Sequence, residues 1–139
     1  MPTAKTKLNI FDIDTVAADS LPEFDVCIIG SGPAGLCVCA ELVGQGYRVV
    51  VLESGGKHAD NYSQKLTAVV SKGISIKPYS RVRAFGGTST TWSGLSTPLD
   101  PIDFIYRSSV PFSGWPITHE ELVPYWREAS AKYSFPPYE

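Results

Sequence analysis

Three glycines and one acid carry the clearest chemical signal in this chain. Gly30, Gly32 and Gly35 stand in GxGxxG spacing, and Glu53 follows roughly 20 residues further on. Glycines at these positions give a tight turn, let bare backbone approach a pyrophosphate and allow close helix-to-strand packing. An acid at that separation binds adenosine ribose hydroxyls and repels a 2′-phosphate. The residues therefore predict FAD or NAD as the ligand rather than NADP.

A strand, a helix and a second strand must position these residues, and residues 24–54 predict all three in that order. The apolar run at residues 26–29 is short and rich in β-branched side chains. Residues 48–52 form a similar run, and such runs are typical of parallel strands that are buried on both faces. The fold class is therefore α/β, with a Rossmann-like βαβ unit.

The predicted helix covers residues 34–43 and begins at the glycine turn. Pro33 and Ala34 lie where the turn becomes the helix, and Ser54 follows the acid, so we include these residues in the predicted cofactor site. One face of the helix is expected to lie on the sheet because its apolar residues recur at spacings of four and three. These are Leu36, Ala40 and Val43.

A second stretch with binding chemistry is RVRAFGGTSTTWSGLSTP, residues 81–98. Gly86 and Gly87 permit positive φ and close approach to a ligand, and Trp92 offers a flat apolar surface. Hydroxyls between and beside them offer donors and acceptors to a flat polar ligand. The hydroxyl residues are Thr88, Ser89, Thr90, Thr91 and Ser93. The residues alone leave an ordinary turn as an equal alternative.

Composition narrows the class of protein. The 139 residues are 43% hydrophobic and 19% charged, with a net charge of −2, which is typical of a soluble globular protein. We expect no nucleic-acid partner because no basic cluster is present. No apolar run is long enough for a membrane span or a secretory signal, so a cytoplasmic location is expected. The three cysteines are expected to be small core thiols, and no metal site is predicted.

The chain divides into three predicted parts. Residues 1–23 form an N-terminal arm, residues 24–100 hold the βαβ unit and the second stretch, and residues 101–139 form a covering segment and a capped helix. Thr118 and Glu121 match the capping-box pattern, which predicts a helix from His119 to about Lys132. His119 is interpreted as a solvated residue at the helix start.

Three blocks together resemble the N-terminal part of the glucose-methanol-choline (GMC) family of FAD-dependent oxidoreductases. The blocks are CIIGSGPAGLCVCAEL with VVVLESGG, then RVRAFGGTSTTWSG, then PLDPIDF with SGWPITHEELVPYW. The resemblance covers about residues 24–130. It is nearest to the branch that contains pyranose oxidase and the C-glycoside and sugar 3-oxidases, and it implies FAD as the cofactor.

The resemblance also implies how the chain meets FAD. The three glycines of the turn cradle the pyrophosphate, Glu53 binds the adenosine ribose, and Arg81 or Arg83 neutralises phosphate charge. Several residues of the second stretch approach the isoalloxazine ring: Gly86, Gly87, Thr88, Trp92, Ser93 and Gly94. Thr91 stands where pyranose oxidase has a histidine bonded to the flavin, so non-covalent FAD is expected.

The family resemblance implies an oxidoreductase that oxidises a sugar or sugar-like alcohol by hydride transfer to FAD. The family's catalytic base, a histidine paired with histidine or asparagine, lies near the C-terminal end of longer chains, so we predict no catalytic residue in this chain. Two strands leave unpaired sheet edges. We therefore expect a hetero-oligomer in which a complementary polypeptide carries the rest of the FAD domain, the substrate domain and the catalytic pair. The alternative is a non-catalytic flavin-binding or assembly subunit derived from the same family.

Overall fold

The computed structural model describes residues 8–94 and 96–138. It divides the chain into two compact units, Met1–Trp92 and Ser93–Glu139. Residues 1–7 of the predicted N-terminal arm lie outside the described residues. The described part of the arm contains two short 3₁₀ turns, Ile13–Thr15 and Ala18–Ser20.

The first unit is built on the predicted strand, helix and strand. Strand β1 spans Val26–Ile29, helix α1 spans Pro33–Gly44 and strand β2 spans Val49–Leu52. The strands pair in parallel, with Val26 opposite Val49 at the start of the register. The fold class is thus α/β, a partial Rossmann-like unit, as predicted.

The sheet is covered on one face only among the described residues. Ile28 faces α1, since a Cβ built on Gly35 of that helix would lie 3.3 Å from its Cγ2 atom. Ile29 points to the other face and is 87% exposed, and its register partner Leu52 is 48% exposed. Burial of the strands on both faces was therefore a wrong prediction for this part of the chain, because no described layer buries the second face.

Helix α1 begins one residue earlier than predicted and ends one residue later. Gly32 is its N-cap and Pro33 its first residue, where proline's missing N–H and fixed φ cost nothing. Leu36 and Val43 are half-buried, but Ala40 is exposed, so the face toward the sheet is narrower than the predicted one. Cys27 in β1 is also exposed and is not the core residue expected from the sequence.

The rest of the first unit is mostly irregular. A short helix, α2, spans Asn61–Lys65. It starts there because the Asp60 side chain caps it, accepting a hydrogen bond of 2.8 Å from the Ser63 N–H. Ala84 is 2% exposed and is the one apolar residue among the described ones that is almost fully buried. The first unit therefore has a very small core.

The second unit contains a 3₁₀ turn, Pro101–Phe104, and helix α3, His119–Tyr133. The predicted capping box is present. The Glu121 N–H donates to Thr118 Oγ1 at 3.2 Å, and the Thr118 N–H donates to a Glu121 carboxylate oxygen at 2.6 Å. The helix runs through Pro124 without a break. No helix in the described ranges has both the length and the apolar character needed to cross a membrane.

His119 is not the solvated residue that the sequence suggested. Its side chain is only 19% exposed, and its ring meets Trp126 and Phe104 edge-on, with centroids at 5.0 and 5.7 Å. Its Nε2 atom lies 3.3 Å from the Tyr138 hydroxyl. The ring is half-buried because residues from both ends of the second unit surround it.

Candidate cofactor site

The glycine turn links β1 to the N-terminus of α1. Gly30 adopts a φ of +96°, which favours glycine, and its N–H donates to the Leu52 carbonyl at 2.8 Å. A Cβ on Gly32 would meet no atom within 4 Å, so the space beside this N-cap is open. The first-turn N–H groups of a helix have no intrahelical acceptor, and the helix dipole favours an anion there. The turn can therefore accept a pyrophosphate against bare backbone.

Gly35 lets the helix approach the strand closely. A Cβ at this position would overlap the Gly30 carbonyl oxygen, and the obstacle is backbone that cannot rotate away. Gly35 therefore sets how near the start of α1 lies to the turn, which is the packing role predicted from the glycine spacing.

The carboxylate of Glu53 is engaged on both oxygens. Its Oε2 accepts hydrogen bonds from the Ser31 N–H at 3.0 Å and from the Ser31 hydroxyl at 2.6 Å. Its Oε1 accepts from the Gly55 N–H at 2.9 Å and from the Ser54 hydroxyl at 3.4 Å. The predicted ribose-binding acid therefore also ties the end of β2 to the glycine turn.

The pKa of Glu53 lies below its ordinary value. Burial alone raises the pKa of this carboxyl, but hydrogen bonds from Ser31, Gly55 and Ser54 favour the charged form and together outweigh burial. Glu53 is therefore a carboxylate at neutral pH, with the charge needed to repel a 2′-phosphate.

Ser31 is the residue that sequence reasoning missed. It is fully buried, at 0% exposure, and its hydroxyl accepts a hydrogen bond of 3.1 Å from the Gly86 N–H. Gly86 lies 55 residues away in the chain. The available signal was a hydroxyl between two glycines of the turn, just after β1, where it can reach the acid that follows the next strand. Ser31 joins the two stretches singled out in the sequence.

Close backbone contacts seat the second stretch on the βαβ unit. A Cβ on Gly55 would overlap the backbone of Arg83, and the Phe85 N–H donates to the Gly56 carbonyl at 2.9 Å. A Cβ on Gly87 would lie 3.3 Å from the Cα atom of Gly32. The two glycine-rich stretches therefore touch beside the open space at the N-terminus of α1.

The hydroxyl run is a 3₁₀ helix, Gly87–Thr91, and not an open loop. Ser89, Thr90 and Thr91 donate their hydroxyl protons to carbonyls three residues earlier, at 2.6, 2.9 and 2.9 Å. Thr88 Oγ1 accepts from the Val82 N–H at 3.3 Å. Ser89, Thr90 and Thr91 are therefore not the free donors expected from the sequence, because the 3₁₀ turn offers carbonyl acceptors closer at hand.

The two arginines of the stretch have different environments. Arg81 is exposed and donates from its guanidinium to the Thr67 carbonyl at 2.9 Å. The Nε atom of Arg83 is buried without a hydrogen-bond partner among the described residues, and its own carbonyl accepts from the Gln64 amide at 3.0 Å. Arg83 thus has a buried donor without a partner among the described residues, and its contact with phosphate stays a prediction.

The structure brings together most of the predicted site. The turn residues, the acid and the second stretch up to Trp92 belong to the first unit, where Trp92 is 53% exposed. Ser93 and Gly94 begin the second unit. Within residues 8–94 and 96–138, no three His, Cys, Asp or Glu side chains are grouped to hold a metal ion.

Comparison with known proteins decides between FAD and NAD. Residues 23–71 match the family model described as FAD binding domain, and these residues contain the turn, α1, β2 and Glu53. The chain binds FAD. The matched segment of this FAD-binding unit ends before the second stretch begins. We therefore assign the second stretch to the cofactor site because of its contacts with the glycine turn.

Two oxidoreductases are similar to this FAD-binding chain. The 2-methyl-1,2-propanediol dehydrogenase of Mycolicibacterium austroafricanum is 31% identical over 142 residues, which cover 86% of this chain and 25% of that protein. The 6'''-hydroxyparomomycin C oxidase of Streptomyces lividus is 31% identical over 118 residues, covering 74% of this chain and 21% of that protein. The chain thus spans a quarter or less of these relatives. No solved structure is significantly similar to it.

Proposed function

We propose that this chain is the FAD-anchoring portion of a GMC-type, flavin-dependent oxidoreductase that oxidises a sugar or sugar-like alcohol. The observation that carries the proposal is a pair of hydrogen bonds, from the Gly86 N–H to the Ser31 hydroxyl and from that hydroxyl to Glu53, which hold the second stretch beside the glycine turn. The names of the two similar proteins support alcohol oxidation, because one describes a diol dehydrogenase and the other an oxidase of a hydroxylated compound.

FAD, when bound, would accept a hydride from the carbon that bears the substrate hydroxyl. The residues of this chain bind and orient the cofactor. The N-terminus of α1 and the bare backbone at Gly32 would hold the pyrophosphate, and Glu53 would bind the ribose. Residues 86–92 begin against the glycine turn, and we assign them to the flavin half of FAD. We call residues 86–92 the flavin-facing segment.

The proton of the substrate hydroxyl requires a base, and we place that base on additional polypeptide. The chain has two histidines, His58 and His119. His58 lies exposed in the loop after β2, and the ring of His119 is held by Tyr138 and Trp126 in the second unit. Neither histidine belongs to the glycine turn or to the flavin-facing segment, so we assign neither to catalysis.

Additional polypeptide would also complete the sheet. The exposed side chains of Ile29 and Leu52 form an apolar strip on the open face of a two-stranded sheet. Such a face is stable in water only when another layer covers it. We propose an obligate, mostly apolar interface of the kind that exceeds about 2,000 Å².

A non-catalytic role is the second candidate. The engagement of His119 in its aromatic cluster favours it, because this leaves the chain with no base assigned to the site. In that case the chain would bind FAD for assembly or interaction without supporting turnover.

The test uses the native preparation together with any polypeptide that co-purifies. Intact-mass and gel analysis identify the accompanying polypeptide. Anaerobic addition of a panel of sugars and vicinal diols, followed by visible absorbance, then reports flavin reduction. The proposal expects bleaching by at least one alcohol in the complex. A flavin-loaded complex that no alcohol in the panel reduces contradicts the enzyme proposal and supports the non-catalytic role.

A further inference from the structure

We propose that Ser31 is a positioning residue that couples Glu53 to the flavin-facing segment. Its hydroxyl, by this proposal, decides whether that segment sits correctly against the glycine turn and hence how tightly the flavin half of FAD is held. The inference rests on the proposed function in one respect, the assignment of residues 86–92 to the flavin half.

Burial and geometry make this hydroxyl an obligatory link. Ser31 has no exposed surface, and its hydroxyl has one proton to donate and lone pairs to accept. The proton goes to Glu53 Oε2 at 2.6 Å, so the oxygen is free to accept from the Gly86 N–H at 3.1 Å. The carboxylate cannot reverse this order at neutral pH, since it has no proton to give. The link therefore runs in one direction, from Gly86 through Ser31 to Glu53.

The position of Gly86 depends on that acceptor. Gly86 is buried and adopts a φ of +90°, and it is the N-cap of the 3₁₀ helix Gly87–Thr91. A buried backbone N–H without an acceptor is costly, so the start of this helix must stay where the Ser31 oxygen can reach it. The positions of the later residues in the flavin-facing segment therefore depend on where this 3₁₀ helix starts.

The same carboxylate serves the turn and the ribose, but with different oxygens. Glu53 Oε2 already accepts two hydrogen bonds from Ser31. Oε1 accepts one short bond from the Gly55 N–H and one long bond of 3.4 Å from Ser54. A ribose hydroxyl can therefore replace the Ser54 bond at Oε1 while Oε2 continues to hold the link. Loss of the Ser31 hydroxyl consequently affects the segment and leaves the ribose contact in place.

The experiment compares FAD with ADP, which carries only the adenosine and phosphate half. In the native protein, Ser31→Ala should weaken FAD about tenfold, as expected for the loss of a buried hydrogen bond, and ADP less than about twofold. Visible circular dichroism of bound flavin should change in the same variant. Ser31→Cys keeps the shape of the side chain with a somewhat larger atom and is a weak donor and acceptor, so it should lose affinity for FAD selectively, by a smaller factor.

Ser63→Ala is the matched control. It removes the hydroxyl of a buried serine, 8% exposed, that donates to an Asp60 carboxylate oxygen at 2.6 Å at the start of α2, outside the predicted cofactor site. This variant should bind FAD and ADP as the wild type does. Equal losses for FAD and ADP in Ser31→Ala and Ser31→Cys, or no loss for either ligand, would overturn the role of Ser31. Failure of every alcohol to reduce the flavin would count separately, against the proposed function.

Discussion

Glu53 and Ser31, 22 residues apart in the chain, are joined by two hydrogen bonds to a single carboxylate oxygen. Glu53 follows the end of β2 and Ser31 follows the end of β1, so the bonds fix the carboxyl ends of the two parallel strands relative to each other. Ligands in open α/β sheets bind at these ends. The pair therefore shapes the cofactor site before any cofactor is bound.

Replacement of Gly32 by valine should abolish FAD binding and leave the fold intact. A Cβ at Gly32 meets no protein atom within 4 Å, so the free protein has room for it, but the side chain projects into the space assigned to the pyrophosphate. Flavin absorbance of the purified variant measures the first effect, and far-UV circular dichroism measures the second. A variant that retains full flavin content would show that the pyrophosphate lies elsewhere.

Gly35→Ala and Gly44→Ala, at the two ends of α1, should have opposite effects on stability. The added methyl at Gly35 overlaps the Gly30 carbonyl oxygen, and such overpacking costs about 1–3 kcal/mol. At Gly44 it meets no atom within 4 Å, and replacing a helical glycine by alanine stabilises by up to about 1 kcal/mol. Urea unfolding of the FAD-loaded protein measures both. Equal effects of the two substitutions would contradict the role given to Gly35.

Glu53 should contribute stability that disappears in acid. Its pKa is lowered in the folded protein, so its contribution is fully present above the ordinary value of 4.5 and is lost as the pH falls through the folded pKa. Glu53→Gln should therefore be less stable than the wild type at pH 7, by roughly 1.5–3 kcal/mol for hydrogen bonds to a charged group. The difference should shrink as the pH falls below 4.5.

The measurement for Glu53 is urea unfolding at a series of pH values. Asp25, Asp60 and Glu121 also have lowered pKa values, from hydrogen bonds with Arg48, Ser63 and Thr118 respectively, so only the difference between wild type and variant isolates Glu53. Glu23→Gln, at an exposed position, is the matched control and should follow the wild type at every pH. A constant difference between wild type and Glu53→Gln across the series would argue against the carboxylate as the source of the stability.

The flavin should be held without a covalent bond to this chain. By the resemblance to pyranose oxidase, Thr91 corresponds to the flavin-linked histidine, and its hydroxyl donates to the Thr88 carbonyl at 2.9 Å. A hydroxyl is not expected to form that linkage. Acid precipitation should release all yellow colour into the supernatant, and flavin that stays with the pellet would disprove the prediction.

Residues 1–139 expressed alone should lack a cooperative unfolding transition. The open sheet face exposes 87% of Ile29, and Ala84 is the only almost fully buried apolar residue among those described. At about 25 cal/mol per Å² of buried apolar surface, so small a core does not offset the roughly 1.5 kcal/mol of entropy lost per ordered residue. Thermal circular dichroism and binding of a hydrophobic dye provide the measurement. A sharp transition together with alcohol-dependent flavin reduction would show that no additional polypeptide is needed.

The sequence by itself determined the elements that rest on local interactions. Glycine spacing predicted the turn, since Gly30 needs a positive φ and Gly35 a missing side chain. The Thr118–Glu121 capping box predicted the start of α3, because its two hydrogen bonds join residues only three apart. Turn geometry and helix capping depend on neighbours in the chain, which a sequence pattern contains directly.

Only the tertiary structure decided which distant groups meet. By residue type alone, the Ser31 hydroxyl could bond to water or to its own backbone. It bonds to Glu53 and Gly86 because β1 and β2 pair in parallel register and the second stretch packs closely against the glycine turn. The burial of His119 likewise depends on aromatic rings supplied by both ends of the second unit. Such contacts are set by the packing of whole elements, so residue types and local spacing do not specify them.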